Sequence, residues 1–372
     1  MVSSVRFGRI RISVEERLET SKWVNVASPV ISIVLALIVG AFIFWANGVS
    51  PVTAYAAMFK GAFGSGYAIS ETFVKAIPLI LAGLGIAMAG RMRLWNIGGE
   101  GQIYMGAFAA AGVALYLNKV VPNPGAFTYI TLELLAGFLA GGIWAMITGV
   151  LKAYLNVNEI ISTLMMNYIA IFWVDWLVNS PWRDPNSLGF PLSPQFPDAA
   201  RLPKTPGLFF LPHGHRVHLG LVFGIAAAFI IWLIFAKTKW GFEIEAIGHN
   251  PRAARSAGMN IARNIIIVML ISGGLAGIAG MAEVTGIIHR LQRQISPGYG
   301  YTAIIVAWLS RLDPWAVLLV SFLFGGLLVA GDQIQIAMKL PSAISFIIQA
   351  LILFFVVGSD VLARYKIVIS RR

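Results

Sequence analysis

Apolar runs of membrane length recur through this chain, at residues 27–45, 73–89, 103–117, 127–150, 160–178, 218–235, 264–281, 315–330 and 342–357. Lipid offers no partner for a backbone N–H or C=O, so a run of this kind crosses as a helix. With the short run 301–309 as a half-span, ten segments result. The expected fold class is an all-α polytopic membrane protein with broken or half-spanning segments. The 372 residues are 58% hydrophobic and 12% charged. A water-soluble fold of that length has too little interior to hide so much apolar surface. There is no cysteine, which excludes disulfides and thiol chemistry. The formal charge of +12 fits basic cytoplasmic loops rather than a nucleic-acid partner.

One interruption stands apart. Residues 91–102 read RMRLWNIGGEGQ between two apolar runs. Gly98, Gly99 and Gly101 let the backbone leave helical geometry and approach another group. Glu100 is costly near lipid and is tolerated beside protein or water. The helix that restarts has free N–H groups. Broken helices of this kind line transport sites, so Asn96, Glu100 and Gln102 are candidate path residues. A short surface hairpin has the same spacing. A second polar cluster, NVNEIISTLMMNY, begins at Asn156. Glu159, Ser162 or Thr163, and Met166 or Asn167 recur at helical spacing and share a face. Thr163, Asn167 and Tyr168 join the candidate path, with Tyr168 and Phe172 as stacking surfaces. Asp175 is an ionisable residue farther along the same helix. Residues 96–101 and 297–300 form a faint internal echo, two glycine-containing breaks that each open a short apolar helix.

The polar segments set the organisation. Residues 1–26 form a basic lead, expected on the cytoplasmic side and placed as an interfacial helix on anionic membrane lipid. Residues 27–360 are the membrane domain, and 361–372 a basic cytoplasmic tail. Residues 179–217, rich in proline, read as a structured external loop. Residues 236–263 are basic and read as cytoplasmic. Within them, Gly248-His249-Asn250-Pro251 signals a turn and a helix start, and Gly258 a stop. No Gly-Lys dipeptide occurs, so the chain has no P-loop. His213, His215 and His218 lie close in sequence, but acidic and cysteine partners are missing and no metal site is expected. No catalytic constellation is visible, and the chain reads as a transport subunit that binds no cofactor.

The motifs NIGGEGQIYMGAFAA, NVNEIISTLMMNYIA, EIEAIGHNPRAARSAGMN and GYGYTAIIVAWLSRLDPWAVLLVSFLFGGLLVAG resemble those of the ABC-importer permeases for branched-chain amino acids and simple sugars, and are most similar to the nucleoside-uptake subgroup. The resemblance runs from about residue 73 to 357. It implies the ABC importer permease fold in a prokaryotic plasma membrane, with both termini cytoplasmic. It also implies three protein partners: an ABC ATPase that holds ATP and Mg, a second permease, favoured as a heterodimer with a homodimer as the alternative, and an extracytoplasmic substrate-binding lipoprotein. By the same resemblance the segment holding Glu243, Ala246, Gly248, Asn250, Pro251, Ala253, Ala254 and Gly258 couples to the ATPase. The implied cargo is a small polar solute, a nucleoside first and a simple sugar as the alternative. A stand-alone, gradient-driven transporter is the competing class.

Overall fold

Short polar side chains set where the helices begin. In the computed structural model, Ser65 accepts the amide of Ala68 at the start of α3 (Gly66–Arg91). Asn158 caps α6 (Glu159–Asn179), and Asn260 caps α10 (Ile261–Glu283). Each oxygen satisfies an amide that the helix itself leaves free. The structure describes residues 3–7, 10–16, 22–205, 214–341 and 343–371, with side chains for 31–205, 214–341, 343–356 and 358. The remaining helices are α1 (Lys22–Ala46), α2 (Pro51–Phe63), α4 (Gly99–Val120), α5 (Ala126–Leu155), α7 (Gly220–Lys237), α8 (Lys239–His249), α9 (Pro251–Ser256), α11 (Tyr299–Leu309), α12 (Pro314–Met338) and α13 (Ala343–Arg364).

Among the described residues, seven helices are long and apolar enough to cross a membrane. An eighth crossing results if the pair 31–46 and 51–63, bent by 114°, counts as one span. The ten expected segments therefore divide differently. Residues 299–309 form an apolar helix below full span length, α13 runs for 22 residues, and the membrane part is all-helical and polytopic.

The chain forms two bodies, residues 60–329 and residues 1–59 with 330–372. In the larger body α10 is the central post, packed against α3, α4 and α5. Its contacts are backbone to backbone. A Cβ on Gly277 would fall 2.1 Å from the carbonyl oxygen of Gly137, and one on Gly280 1.9 Å from that of Ile103. A Cβ on Gly141 would fall 2.4 Å from the carbonyl oxygen of Gly273. Small residues allow such approach where lipid removes any hydrophobic drive between helices. Gly137, Gly141, Gly142 and Gly149 of α5 all meet α10.

The described part of 179–217 is ordered. It runs antiparallel to 285–291: the amides of Ser193, Phe196 and Leu202 donate to the carbonyls of Leu291, His289 and Thr285 at 2.9–3.0 Å. Arg293 pairs with Asp175 at 3.1 Å. The loop covers the end of α10 opposite Ile261.

In the smaller body α1 lies beside α13, and the Ser32 hydroxyl donates to the Phe355 carbonyl at 3.1 Å. Three strands occur, β1 (Ser3–Phe7), β2 (Ile10–Glu16) and β3 (Tyr365–Arg371), antiparallel in the order β1-β2-β3. This corrects the surface helix expected in the lead. Val5 and Phe7, then Ile10, Ile12 and Val14, alternate with polar residues, a period of two that suits a strand and no helix face.

Replacing Gly277 with Ala should destabilise the protein by about 1–3 kcal/mol, because the added methyl meets backbone on α5 that has no rotamer to yield. Thermal unfolding in detergent measures it. Gly125→Ala, where the new methyl meets nothing within 4 Å, is the matched control and should change little.

Candidate functional site: a re-entrant break gripped by a surface helix pair

The break at 92–98 climbs back into the bundle. α3 ends at Arg91, and Arg93 takes a left-handed turn with φ +58°. Trp95 then stacks on Trp308, with ring centroids 4.8 Å apart and planes 23° apart. Four residues later Gly99 touches the backbone of Gly300. Trp308 and Gly300 lie near opposite ends of α11, eight residues or ~12 Å apart along the axis. The C-terminal end of α11 returns to the level of Arg91, whose guanidinium donates to the Leu312 carbonyl at 3.2 Å. So α4 starts about one half-helix inside the bundle, and 92–98 is a re-entrant loop rather than a surface hairpin.

Two helix N-termini therefore face each other at depth, those of α4 and α11. These are the two breaks that echo one another in the sequence. A Cβ on Gly300 would sit 2.1 Å from the Glu100 amide nitrogen, so only glycine permits the approach. The buried carboxylate of Glu100 accepts the Gly300 amide at 2.8 Å, and Ser296 and Gly298 are further hydrogen-bond neighbours. Ser296 Oγ accepts the amides of Gly298 and Tyr299 at 3.1 and 2.8 Å. On the α4 side, Asn167 Oδ1 accepts the Gly101 amide at 2.8 Å. The free donors of both helix starts thus find anionic or polar oxygen.

The other candidates complete one network. Asn96 and Gln102 exchange a pair of side-chain hydrogen bonds at 3.0 and 2.8 Å. Asn96 also donates to Ser272 of α10 at 2.9 Å. Thr163 accepts the Ile97 amide at 3.2 Å and donates to the Glu159 carbonyl at 2.6 Å. Asn167 Nδ2 reaches the Ile97 carbonyl at 3.0 Å and Tyr301 Oη at 3.3 Å. Asn96, Glu100, Gln102, Thr163 and Asn167 are all buried, at 3% exposure or less. Tyr168 is outside the network and 49% exposed; Trp95 and the network member Tyr301 are exposed too, at 42% and 39%. Five of the six path candidates therefore brace the break, and the aromatic rings carry its accessible surface. Two members are ones that sequence reasoning passed over. Ser272 is the one polar side chain in 265–281, and that isolation was its signal. Tyr301 follows directly on the second glycine break.

The segment 239–258 folds as two short helices. Asn250 caps α9 by accepting the amides of Arg252 and Ala253, each at 3.1 Å, with Pro251 at the first helical position. Gly258 stops the helix at φ +82°. In α9 only Ala254 is buried, while Pro251 and Ala253 are exposed. α8 is held firmly. A Cβ on Gly248 would lie 2.2 Å from the Arg91 carbonyl oxygen. Arg91 pairs with Glu245 and lies 4.2 Å over the Phe235 ring. Glu243 accepts from Asn264 of α10 at 3.1 Å, and Ala246 is half-buried and accepts the Asn250 amide through its carbonyl at 3.0 Å. The surface pair thus grips the residue from which the re-entrant loop departs.

Residues 68–357 match the family described as branched-chain amino acid transport system / permease component. The chain belongs to this permease family. Across 97% of its length it is 36% identical to the glucose ABC transporter permease protein of Haloferax volcanii, covering 94% of that protein. It is 36% identical to the guanosine ABC transporter permease protein of Bacillus subtilis over 89% of this chain and 92% of that one. Identity to the nucleoside ABC transporter permease protein of Lactococcus lactis subsp. cremoris is 32%, over 89% and 90%. The permease is thus a multi-pass membrane transport subunit.

Two of the histidines grouped in the sequence are described; His213 lies outside the described residues. His218 serves the fold of the permease: its Nδ1 accepts the Gly220 amide at 3.2 Å.

Glu100→Ala should lower stability by about 1–3 kcal/mol, since it strands the Gly300 amide in the interior. Glu100→Gln keeps an acceptor and should cost less. Unfolding midpoints of the purified variants decide the order.

Proposed function

We propose that this permease is the membrane subunit of an ATP-driven importer for nucleosides, worked by a separate ATPase. The observation that carries the reading is the grip of α8–α9 on Arg91. A push on the exposed face of α9 passes through Gly248 and Glu245 to Arg91, and from there into 92–98. Glu243, Ala246, Gly248, Asn250, Pro251, Ala253, Ala254 and Gly258 would then be the coupling surface and its support. The rest of the assembly is a second permease, favoured as a heterodimer, and an extracytoplasmic binding protein. The α9 end faces the cytoplasm of a prokaryotic plasma membrane, with both termini on that side.

The cargo follows from charge and shape. The buried polar groups of the break, Asn96, Glu100, Gln102, Thr163 and Asn167, include no cation, so the break has no appetite for an anion. A neutral solute fits better. Exposed Tyr168, Tyr301 and Trp95 offer ring faces to a flat base, and the nucleoside and guanosine permeases among the relatives point the same way. Glucose is the second reading, favoured by the Haloferax relative.

Uptake of labelled guanosine into vesicles holding the complete transporter should require ATP and be competed by nucleosides and not by glucose. Competition by glucose alone would transfer the assignment to sugar. Uptake without ATP or the ATPase would overturn the ATP-driven reading altogether. Tyr168→Ala should raise the KM for nucleoside roughly tenfold, the loss of about one stacking contact, with kcat little changed. Arg91→Ala should cut transport roughly tenfold or more while the subunits still co-purify, measured as uptake per ATP hydrolysed.

A further inference from the structure

A cleft of about 500 Å³ lies between α8 and the start of α10. Its rim carries Lys239 and Arg263, both exposed, and Trp240, half-buried. The Trp240 indole N–H is directed inward to Asn264 Oδ1 at 2.7 Å. The floor is apolar and is made by Ile267 and Ile271, one turn apart on α10. An adjoining cleft shares Lys239 and adds Lys237. No ion pair of Lys237, Lys239 or Arg263 occurs among the described residues. The one acidic wall residue, Glu243, is already hydrogen-bonded to Asn264. The cleft therefore has a cationic mouth with an aromatic at its edge, and a greasy floor that continues along a membrane-spanning helix.

We propose that this cleft binds an anionic phospholipid of the adjacent leaflet, its phosphate between Lys239 and Arg263 and an acyl chain along Ile267 and Ile271. A free phosphate has no use for the floor, and a neutral lipid none for the uncommitted cations. An anionic lipid uses both. Its position would wedge the junction of α8 with α10, beside the surface helices and away from the transport break.

The test takes the full-length chain in micelles holding equal amounts of phosphatidylglycerol and phosphatidylcholine, with retained lipid counted by native mass spectrometry. Wild-type protein should retain phosphatidylglycerol over phosphatidylcholine by roughly tenfold, as two cations at a surface provide. The double variant Lys239→Gln, Arg263→Gln should lose that preference. Ile271→Trp, which fills the floor and leaves the charges, should lose retained lipid as well. Thermal unfolding identifies which variants are folded, and either one alone carries the test. A charge variant that keeps the preference, equal retention of both lipids by wild type, or displacement of the lipid by millimolar inorganic phosphate would each overturn the proposal.

Discussion

Two helix starts face each other inside an apolar bundle, and most of the polar chemistry of this permease answers that fact. Each start presents amides that no helical partner can take, in surroundings where water is scarce. Glu100 and Ser296 serve α11; Asn167 serves α4. Asn96 and Gln102 then tie the loop between them to α10 through Ser272. The arrangement holds a polar break at depth without leaving it open, and leaves ring faces as its accessible surface.

Keeping the two starts together depends on α10 and its glycines. Backbone contact along α4, α5 and α10 sets interhelical distances that no side chain can cushion. The same helix carries Ser272 at its middle and, at its first turns, Asn264, which holds Glu243 of α8. One post therefore touches both the break and the surface pair.

Much of this was legible in the order of residues. The membrane-length helices, the helix start at Asn250, the stop at Gly258 and the polar positions of the break all follow from local rules. What local rules miss is pairing across distance. Asn96 and Thr163 look alike as path residues, and only the tertiary arrangement turns both inward as braces. Arg91 reads as a membrane-surface charge until Glu245 and the Gly248 backbone arrive against it. Ser272 is isolated within its apolar run, and its partner, Asn96, lies in the re-entrant loop. In the lead, a period of two was outweighed by its basic composition, which favoured a surface helix over the strands that form.

The re-entrant loop also acts as a ruler. Seven residues, 92–98, carry the chain from Arg91 to the start of α4. One residue more or fewer would displace the start of α4 against α11 and Asn167. Gln102 would swing away from Asn96 and Glu100 from Gly300, all at once. Residue identities along that stretch have some latitude; its length has none, and a deletion or insertion there is a change to the whole interior.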